Sequence, residues 1–279
     1  MHPPLALLLS STAVEASDLY LELLKRILTR TIFDEELMPL RPVSRLQKAL
    51  VAPVKAIFGV ADMEIVHRRA LDRTSRELGC DWPADAETMI GHRRLDNIRA
   101  AIRTVITEDV PGDWLEAGVW RGGASIFARA CFAAYGDETR AVWCADSFEG
   151  LPKPRLPQDE SIDLWRYEVL SVDLDTVRRN FARYGLLDDR VRFLVGWFAD
   201  TLPNAPIERL AILRLDGDLY ESTMDALVLY DKLSRGGYVI VDDYNIGACR
   251  AAITDFRGER RIEAPVISVD DACVYWRKA

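Results

Sequence analysis

The chain has 279 residues, 49% of them hydrophobic and 29% charged, a balance that excludes disorder, collagen and coiled coil. At ~150 residues per domain, this length makes two domains, or one large domain with an extension. Lys and Arg number 36 against 44 Asp and Glu, a net charge of −8, so no global positive field draws the chain to phosphate backbones and nucleic acid is not an expected partner.

Taken from the N-terminus, Leu5 to Val14 is an apolar run, far short of the ~20 residues that span a bilayer. No basic segment precedes it, so a secretory leader is not indicated. From Asp18 to about Ala61 the pattern reads as helical, with Leu19, Leu23, Leu24 and Ile27 at three- and four-residue steps and Asp18 as a plausible cap. Between Met38 and Ala61 there is no acid, while Arg41, Arg45, Lys48 and Lys55 interleave with Leu46, Leu50, Val51, Val54, Ile57 and Phe58. That segment is either a helix packed on its apolar side, a lid over a greasy or anionic substrate, or a membrane-surface contact. A further helix is expected from Ile90 to about Ile106, ended by the turn signal Pro111-Gly112. We place a boundary there, with a helical segment over 1–110 and a second domain over 111–279.

Beyond the boundary, strands alternate with helices: Trp114-Leu115 into Gly123 to Tyr135, Ala141 to Ala145, Leu174 to Tyr184 into Val191 to Val195, Ala211 to Leu215 into Ser222 to Leu233, and Tyr238 to Val241 into Ala248 to Phe256. This is the grammar of an α/β, doubly wound, Rossmann-like parallel sheet covered on both faces. Val266 to Val269 and Cys273 to Trp276 flank Asp270-Asp271 and read as a hairpin, which adds an antiparallel edge.

The first of these strands ends in Glu116-Ala117-Gly118-Val119-Trp120-Arg121-Gly122-Gly123-Ala124-Ser125 and enters a helix. Gly118 and Gly122 permit close backbone approach where doubly wound sheets bind nucleotides, although a tight turn alone has the same need. A dinucleotide site wants GxGxxG and a pyrophosphate at the helix N-terminus. Glu116 would repel that pyrophosphate but suits a cationic amino-acid group, which favours S-adenosylmethionine over NAD. Asp146, at the tip of the next strand, could accept from ribose hydroxyls or cap the following helix. Trp197-Phe198-Ala199-Asp200 puts an aromatic pair beside an acid where an adenine ring would lie, and Phe198 is equally readable as core.

Leu215-Asp216-Gly217-Asp218 and Val241-Asp242-Asp243 end the fourth and fifth strands, so four carboxylates converge on one sheet edge. Clustered acids hold a cation, share a proton or cap separate helices. Oxygen-only ligands point to a hard divalent ion, Mg²⁺ before Ca²⁺ or Mn²⁺. His67 and His92 fall in the helical region, and neither is assigned a role. The cysteines Cys80, Cys131, Cys144, Cys249 and Cys273 lack any CxxC pair, which signals neither zinc nor a disulfide framework and fits a reducing cytoplasm.

Taken together, Thr88-Met89-Ile90-Gly91, Arg94-Leu95-Asp96-Asn97, Gly118-Val119-Trp120-Arg121-Gly122-Gly123, Ala145-Asp146-Ser147-Phe148, Gly196-Trp197-Phe198, Asp216-Gly217-Asp218-Leu219-Tyr220 and Val241-Asp242-Asp243-Tyr244 resemble the macrocin O-methyltransferase family, from Asp18 to the C-terminus. The resemblance implies a class I methyltransferase sheet under an N-terminal helical lid. It also implies Mg²⁺ held by Asp216, Asp242 and Asp243, with Asp216 suited to act as general base; the chemistry then makes Asp216 both ligand and base, or has it share the task with Asp218. The resemblance puts Glu116, Gly118, Asp146 and Ser147 at cofactor positions, with Thr88 and Met89 reaching in from the lid, and the motif reading adds Gly122, Ser125, Phe198 and Asp200 to that set. The implied acceptor is a deoxysugar hydroxyl of a glycosylated small molecule, and the implied assembly a homo-oligomer. Residues 35–80 match no family pattern, and their basic apolar part suggests a lipophilic acceptor such as a glycosylated polyketide or a glycolipid. A catechol or other vicinal-diol methyltransferase, an NAD-dependent oxidoreductase and a noncatalytic module are the competing readings.

Overall fold

The strand-and-helix alternation after Pro111 folds into one twisted sheet. In a computed structural model, residues 5–40, 44–61, 63 and 65–279 are described, with side chains from residue 16 onward. Arg41 and the side chains of Leu5 to Val14 therefore lie outside the described residues. The chain runs α1 (Leu5–Leu28), β1 (Glu35–Pro39), α2 (Arg45–Val60), β2 (Val66–Ala70), α3 (Arg73–Leu78), α4 (His92–Thr107), β3 (Asp113–Ala117), α5 (Gly123–Ala134), β4 (Val142–Asp146), α6 (Leu174–Arg183), β5 (Val191–Val195), α7 (Phe198–Thr201), β6 (Leu210–Leu215), α8 (Tyr220–Leu227), β7 (Leu233–Val241), α9 (Gly247–Glu259), β8 (Ile267–Ser268) and β9 (Val274–Arg277).

The seven-stranded sheet has the order β5-β4-β3-β6-β7-β9-β8. Strands β3 to β7 are parallel, while β9 is antiparallel to β7 and to β8, so the expected C-terminal hairpin forms the edge. Side chains alternate across the sheet. Trp114, Ile212 and Ile240 enter one core with Leu21 and Leu24 of α1, Leu95, Ile98 and Ile102 of α4, and Phe127 of α5. Leu115, Leu213, Val239 and Trp276 enter the other core with Ala226 and Leu227 of α8 and Ile253 and Phe256 of α9. With both faces covered, β6 is buried along its whole length, as a central parallel strand should be. Each fully buried large apolar side chain stabilises the fold by about 1.5–3 kcal/mol relative to exposure.

The N-terminal region departs from the sequence expectation. It is helical over α1, α2 and α4, but the helical pattern read from Asp18 to about Ala61 is interrupted by β1, which pairs antiparallel with β2 from Glu35↔Ala70 to Pro39↔Val66. Cross-strand ion pairs Glu35–Arg68 (3.3 Å) and Glu36–Arg69 (2.7 Å) accompany that pairing. The two strands flank α2 in sequence, and local periodicity is blind to such a pairing. Asp18 is interior to α1 rather than its cap and pairs with Arg99 of α4. His67 lies on β2, not on a helix, and His92 opens α4 with its Nε2 3.1 Å from the hydroxyls of Thr29 and Thr31. Helix α2 is capped by Ser44 in a capping box with Gln47, yet none of its residues is buried.

Among the described residues no helix is long and apolar enough to cross a membrane. Between β3 and β6 the strand order reverses, since β4 and β5 are laid down on one side of β3 and β6 and β7 on the other. Doubly wound sheets open a crevice at such a switch point.

Candidate active site

The crevice is shaped first by backbone. Gly118 follows β3 with φ +91°, and a Cβ there would sit 1.8 Å from the Asp216 carbonyl oxygen. The tips of β3 and β6 therefore abut, with Asp216 N donating to Ala117 O at 2.9 Å. Gly123 opens α5 by donating its N–H to Glu87 O at 2.9 Å, and a Cβ on it would collide with Glu87 and Thr88. This contact staples the loop before α4, with Thr88 and Met89, onto the sheet edge.

Two adjoining cavities open there. The first, of about 390 Å³, is lined by Gly118, Asp146, Ser147, Phe198, Asp200 and Asp216 among others. The second, of about 270 Å³, is lined by Thr88, Arg94, Glu116, Asp216, Asp242 and Asp243 among others. Met89, Trp120, Leu170, Asp216 and Asp218 belong to both walls.

Of the residues singled out in the sequence, Asp146 uses Oδ2 to accept from Val119 N and Oδ1 to accept from Phe148 N, each at 2.8 Å. It thus holds the glycine turn and borders the first cavity, with Ser147 Oγ a further 3.5 Å from Oδ1. Burial, its largest influence, raises the Asp146 pKa against these backbone donors. Ser147 Oγ donates to Gly150 O at 2.7 Å and accepts from Glu149 N at 3.0 Å, closing the turn after β4.

Gly122 and Ser125 line neither cavity. The space that a Cβ on Gly122 would need is filled by Val177 and Phe181 of α6. Ser125 is fully buried, accepts from Trp114 Nε1 at 3.2 Å and donates to Glu116 Oε2. Glu116 borders the second cavity, and its other oxygen meets Arg214, so its charge is matched from within the protein. Thr88 also faces the second cavity, with its hydroxyl accepting from Ile90 N at 3.3 Å.

The carboxylates of Asp216, Asp242 and Asp243 each offer one oxygen to a common point, these oxygens lying within 4.8 Å of one another. Asp218, held at φ +60°, lies beside them and donates its backbone N–H to Asp243 Oδ2 at 3.1 Å. Burial raises the pKa of Asp216, Asp218 and Asp243. Neighbouring carboxylates add to that rise in all three, while Arg214 pulls Asp216 back. Burial likewise pushes Glu116 up to about 7, against the opposing pull of Arg214.

Residues to which the sequence reading gave no role balance this charge. Arg214, fully buried on β6, touches Glu116 Oε1, Asp216 Oδ2 at 2.6 Å and Asp242 Oδ1 at 2.6 Å. The last contact is an ion pair without hydrogen-bond alignment. Arg94 of α4 joins Asp242 Oδ2 (2.7 Å) to Asp270 Oδ2 (2.8 Å) in the turn between β8 and β9. One cue was legible, since an arginine in the otherwise apolar strand Leu210–Leu215 must meet an acid once buried. Trp120, at φ +46°, stands between the cavities, donates Nε1–H to Val169 O at 2.8 Å and carries the Arg121 guanidinium 4.2 Å from its ring centroid.

The donor set fits a hard divalent cation. It is all oxygen, it converges from two strand tips, and among the described residues the ion pairs of Glu116, Asp216 and Asp242 are made with Arg214 and Arg94, the latter shared with Asp270.

The comparisons with known proteins agree with this architecture. The model of the family described as Macrocin-O-methyltransferase (TylF) matches residues 17–278. An 8-demethyl-8-(2,3-dimethoxy-alpha-L-rhamnosyl)-tetracenomycin-C 4'-O-methyltransferase of Streptomyces olivaceus is 48% identical over 268 residues, 94% of each chain. A mycinamicin III 3''-O-methyltransferase of Micromonospora griseorubida is 44% identical, covering 96% of this chain and 98% of its own. The solved structure of the O-methyltransferase NovP superposes with a TM-score of 0.80 at 43% identity, over 94% of this chain and 99% of that one. The chain belongs to the macrocin O-methyltransferase family and is an S-adenosylmethionine-dependent O-methyltransferase.

Proposed function

We propose that the protein methylates a sugar hydroxyl of a glycosylated natural product, with S-adenosylmethionine in the first cavity, the sugar in the second, and Mg²⁺ at Asp216, Asp242 and Asp243. The observation that carries this reading is the position of Asp216 and Asp218, which form part of the wall of both cavities, where a donor and an acceptor must meet. The names of the relatives, which act on tetracenomycin, mycinamicin and demethyldecarbamoylnovobiocin, support the acceptor class. Within residues 1–110, α1 and α4 belong to the core layer on one face of the sheet, and the loop before α4, with Thr88 and Met89, serves as the lid contact with the site.

Asp146, at the wall of the first cavity, accepts from the ribose hydroxyls. Phe198 packs on the adenine, and Gly118, Ser147 and Asp200 complete that wall. A sugar hydroxyl is a poor nucleophile at neutral pH. Mg²⁺ held by Asp216, Asp242 and Asp243 would supply Lewis-acid character that makes the acceptor hydroxyl more acidic. Asp216, fixed through Oδ2 by Arg214, takes the departing proton. Arg94 and Arg214 fix the carboxylates so that the acceptor is oriented before methyl transfer.

Calorimetry tests this reading directly. S-adenosylmethionine and S-adenosylhomocysteine are expected to bind and NAD to give no heat. Methylation of a rhamnoside is expected to fall at least ~100-fold in EDTA and to return with Mg²⁺. Full activity in EDTA would remove the metal from the proposal, and NAD binding would remove the donor.

A homo-oligomer completes the proposal. Leu46, Leu50 and Ile57 of α2 are 72%, 65% and 71% exposed, and a large unpaired apolar stripe is a contact surface. The helix carries Arg45, Lys48 and Lys55 and no acid, in a chain of net charge −8, so a second copy offers the complementary charge. Light scattering should give a multiple of the chain mass, and Leu50→Glu with Ile57→Glu should weaken assembly at least ~10-fold. A monomer at all concentrations would end this part of the proposal.

A further inference from the structure

The second cavity is too small for a glycosylated polyketide. At about 270 Å³ it falls below the range of ~300–1,000 Å³ typical for drug-sized ligands. Its deep wall is charged, with Asp216, Asp242 and Asp243. A single sugar ring fits such a space, and the group attached to that sugar must then rest at the mouth.

The mouth is aromatic. Trp82 lines the second cavity and is 46% exposed, and Tyr167 beside it is 45% exposed. Their ring centroids are 5.2 Å apart at an interplanar angle of 85°, an edge-to-face contact that sets the orientation of the indole. Neither ring fills a core, since both are half in water.

Both segments that carry these rings are anchored. On the Trp82 side, the neighbouring Asp81 pairs with the fully buried Arg76 of α3, and Arg121 donates to Ala86 O at 2.8 Å. On the Tyr167 side, fully buried Asp159 accepts from Tyr220 N (2.6 Å) and Glu221 N (3.1 Å) at the start of α8, and Trp120 Nε1 donates to Val169 O. Leu164 and Leu170 of the same segment extend the apolar border into the cavity wall.

We infer that Trp82, oriented by Tyr167, is the platform on which a planar aromatic aglycone of the acceptor stacks while its sugar enters the second cavity. This rests on the glycoside reading above and adds the chemistry of the aglycone to it. A flat indole face with fixed orientation recognises a flat π system at little entropic cost. The charged interior leaves such a group no place except the rim.

The test compares two probes with one sugar: 4-methylumbelliferyl α-L-rhamnopyranoside and methyl α-L-rhamnopyranoside. Each is titrated calorimetrically into enzyme loaded with S-adenosylhomocysteine and Mg²⁺. The unaltered protein should bind the umbelliferyl glycoside at least ~10-fold more tightly. Trp82→Ala should erase that preference, Trp82→Phe should keep part of it, and Tyr167→Leu should reduce it. S-adenosylhomocysteine affinity should stay unchanged in all three, which also reports that each variant is folded, and methyl rhamnoside should lose less affinity than the umbelliferyl glycoside. Equal weakening of both glycosides, or an unchanged preference in Trp82→Ala, overturns the platform while leaving the glycoside reading intact. If neither rhamnoside binds the unaltered protein, the glycoside reading fails and the platform fails with it.

Discussion

Asp216→Asn is expected to lower kcat by about 10³-fold or more while S-adenosylmethionine binds within a factor of about three of its original affinity. The substitution keeps the shape of a residue whose backbone abuts Gly118 and removes only the negative charge and the basic oxygen. The first cavity retains Asp146, with both of its backbone hydrogen bonds, and Phe198, so the donor has no reason to leave. Single-turnover rates with a rhamnoside acceptor, beside calorimetry for the donor, measure the two quantities separately. Loss of donor binding together with a lowered Tm would show that Asp216 is structural. A larger fall in kcat from Asp218→Asn than from Asp216→Asn would move the proton to Asp218, which borders the same two cavities.

Arg214→Met is expected to carry the largest cost in stability. The guanidinium is fully buried and touches Glu116, Asp216 and Asp242. Removing one partner of a buried ion pair costs about 3–5 kcal/mol, because the remaining charge is left without compensation. The effect must depend on pH. Burial holds the Glu116 carboxyl at about 7 when folded, against an ordinary value of 4.5, so between these values the folded state binds the extra proton. Stability then falls as pH rises through that window. Without Arg214 the folded-state pKa climbs further and the decline extends to higher pH. Urea unfolding in EDTA should therefore show a larger loss for Arg214→Met at pH 8 than at pH 5.5. A loss independent of pH would mean that the three carboxylates do not share this cation.

Much of the sheet was legible because it depends on local backbone preference. The strand Val191–Val195 and the helix beginning at Leu174 lie where residue periodicity puts them, and the hairpin at Asp270-Asp271 closes the sheet edge. The Gly118 turn and the acids after Leu215 and Val241 were visible as short motifs, since a positive φ and a strand tip are properties of neighbouring residues. In a doubly wound sheet, all carboxyl ends of the parallel strands open on one edge, so convergence of the acids followed from topology. The β1·β2 pair was missed for the opposite reason. Its strands flank α2 in sequence, and the segment Glu35–Pro39 has no alternation that separates it from the helices around it.

Ser125 shows how a motif can name a residue and misjudge its exposure. The sequence places it beside the glycine turn, but the helix rotates its hydroxyl inward to Glu116. Charge balance at the site was equally hidden. Glu116 and Arg214 are 98 residues apart, and Arg94 meets Asp242 and Asp270 across 148 and 176 residues. Trp82 and Tyr167 meet through two loops with no shared periodicity. The amino-acid order alone was enough to specify the parallel sheet, the turn that exposes its edge and the acids along that edge, because each is written in residues within a few positions of one another. Which cation neutralises which acid, which serine is sealed away and which aromatic rings frame the mouth were decided only when distant segments packed, because Coulomb pairing and burial depend on separation in space rather than along the chain.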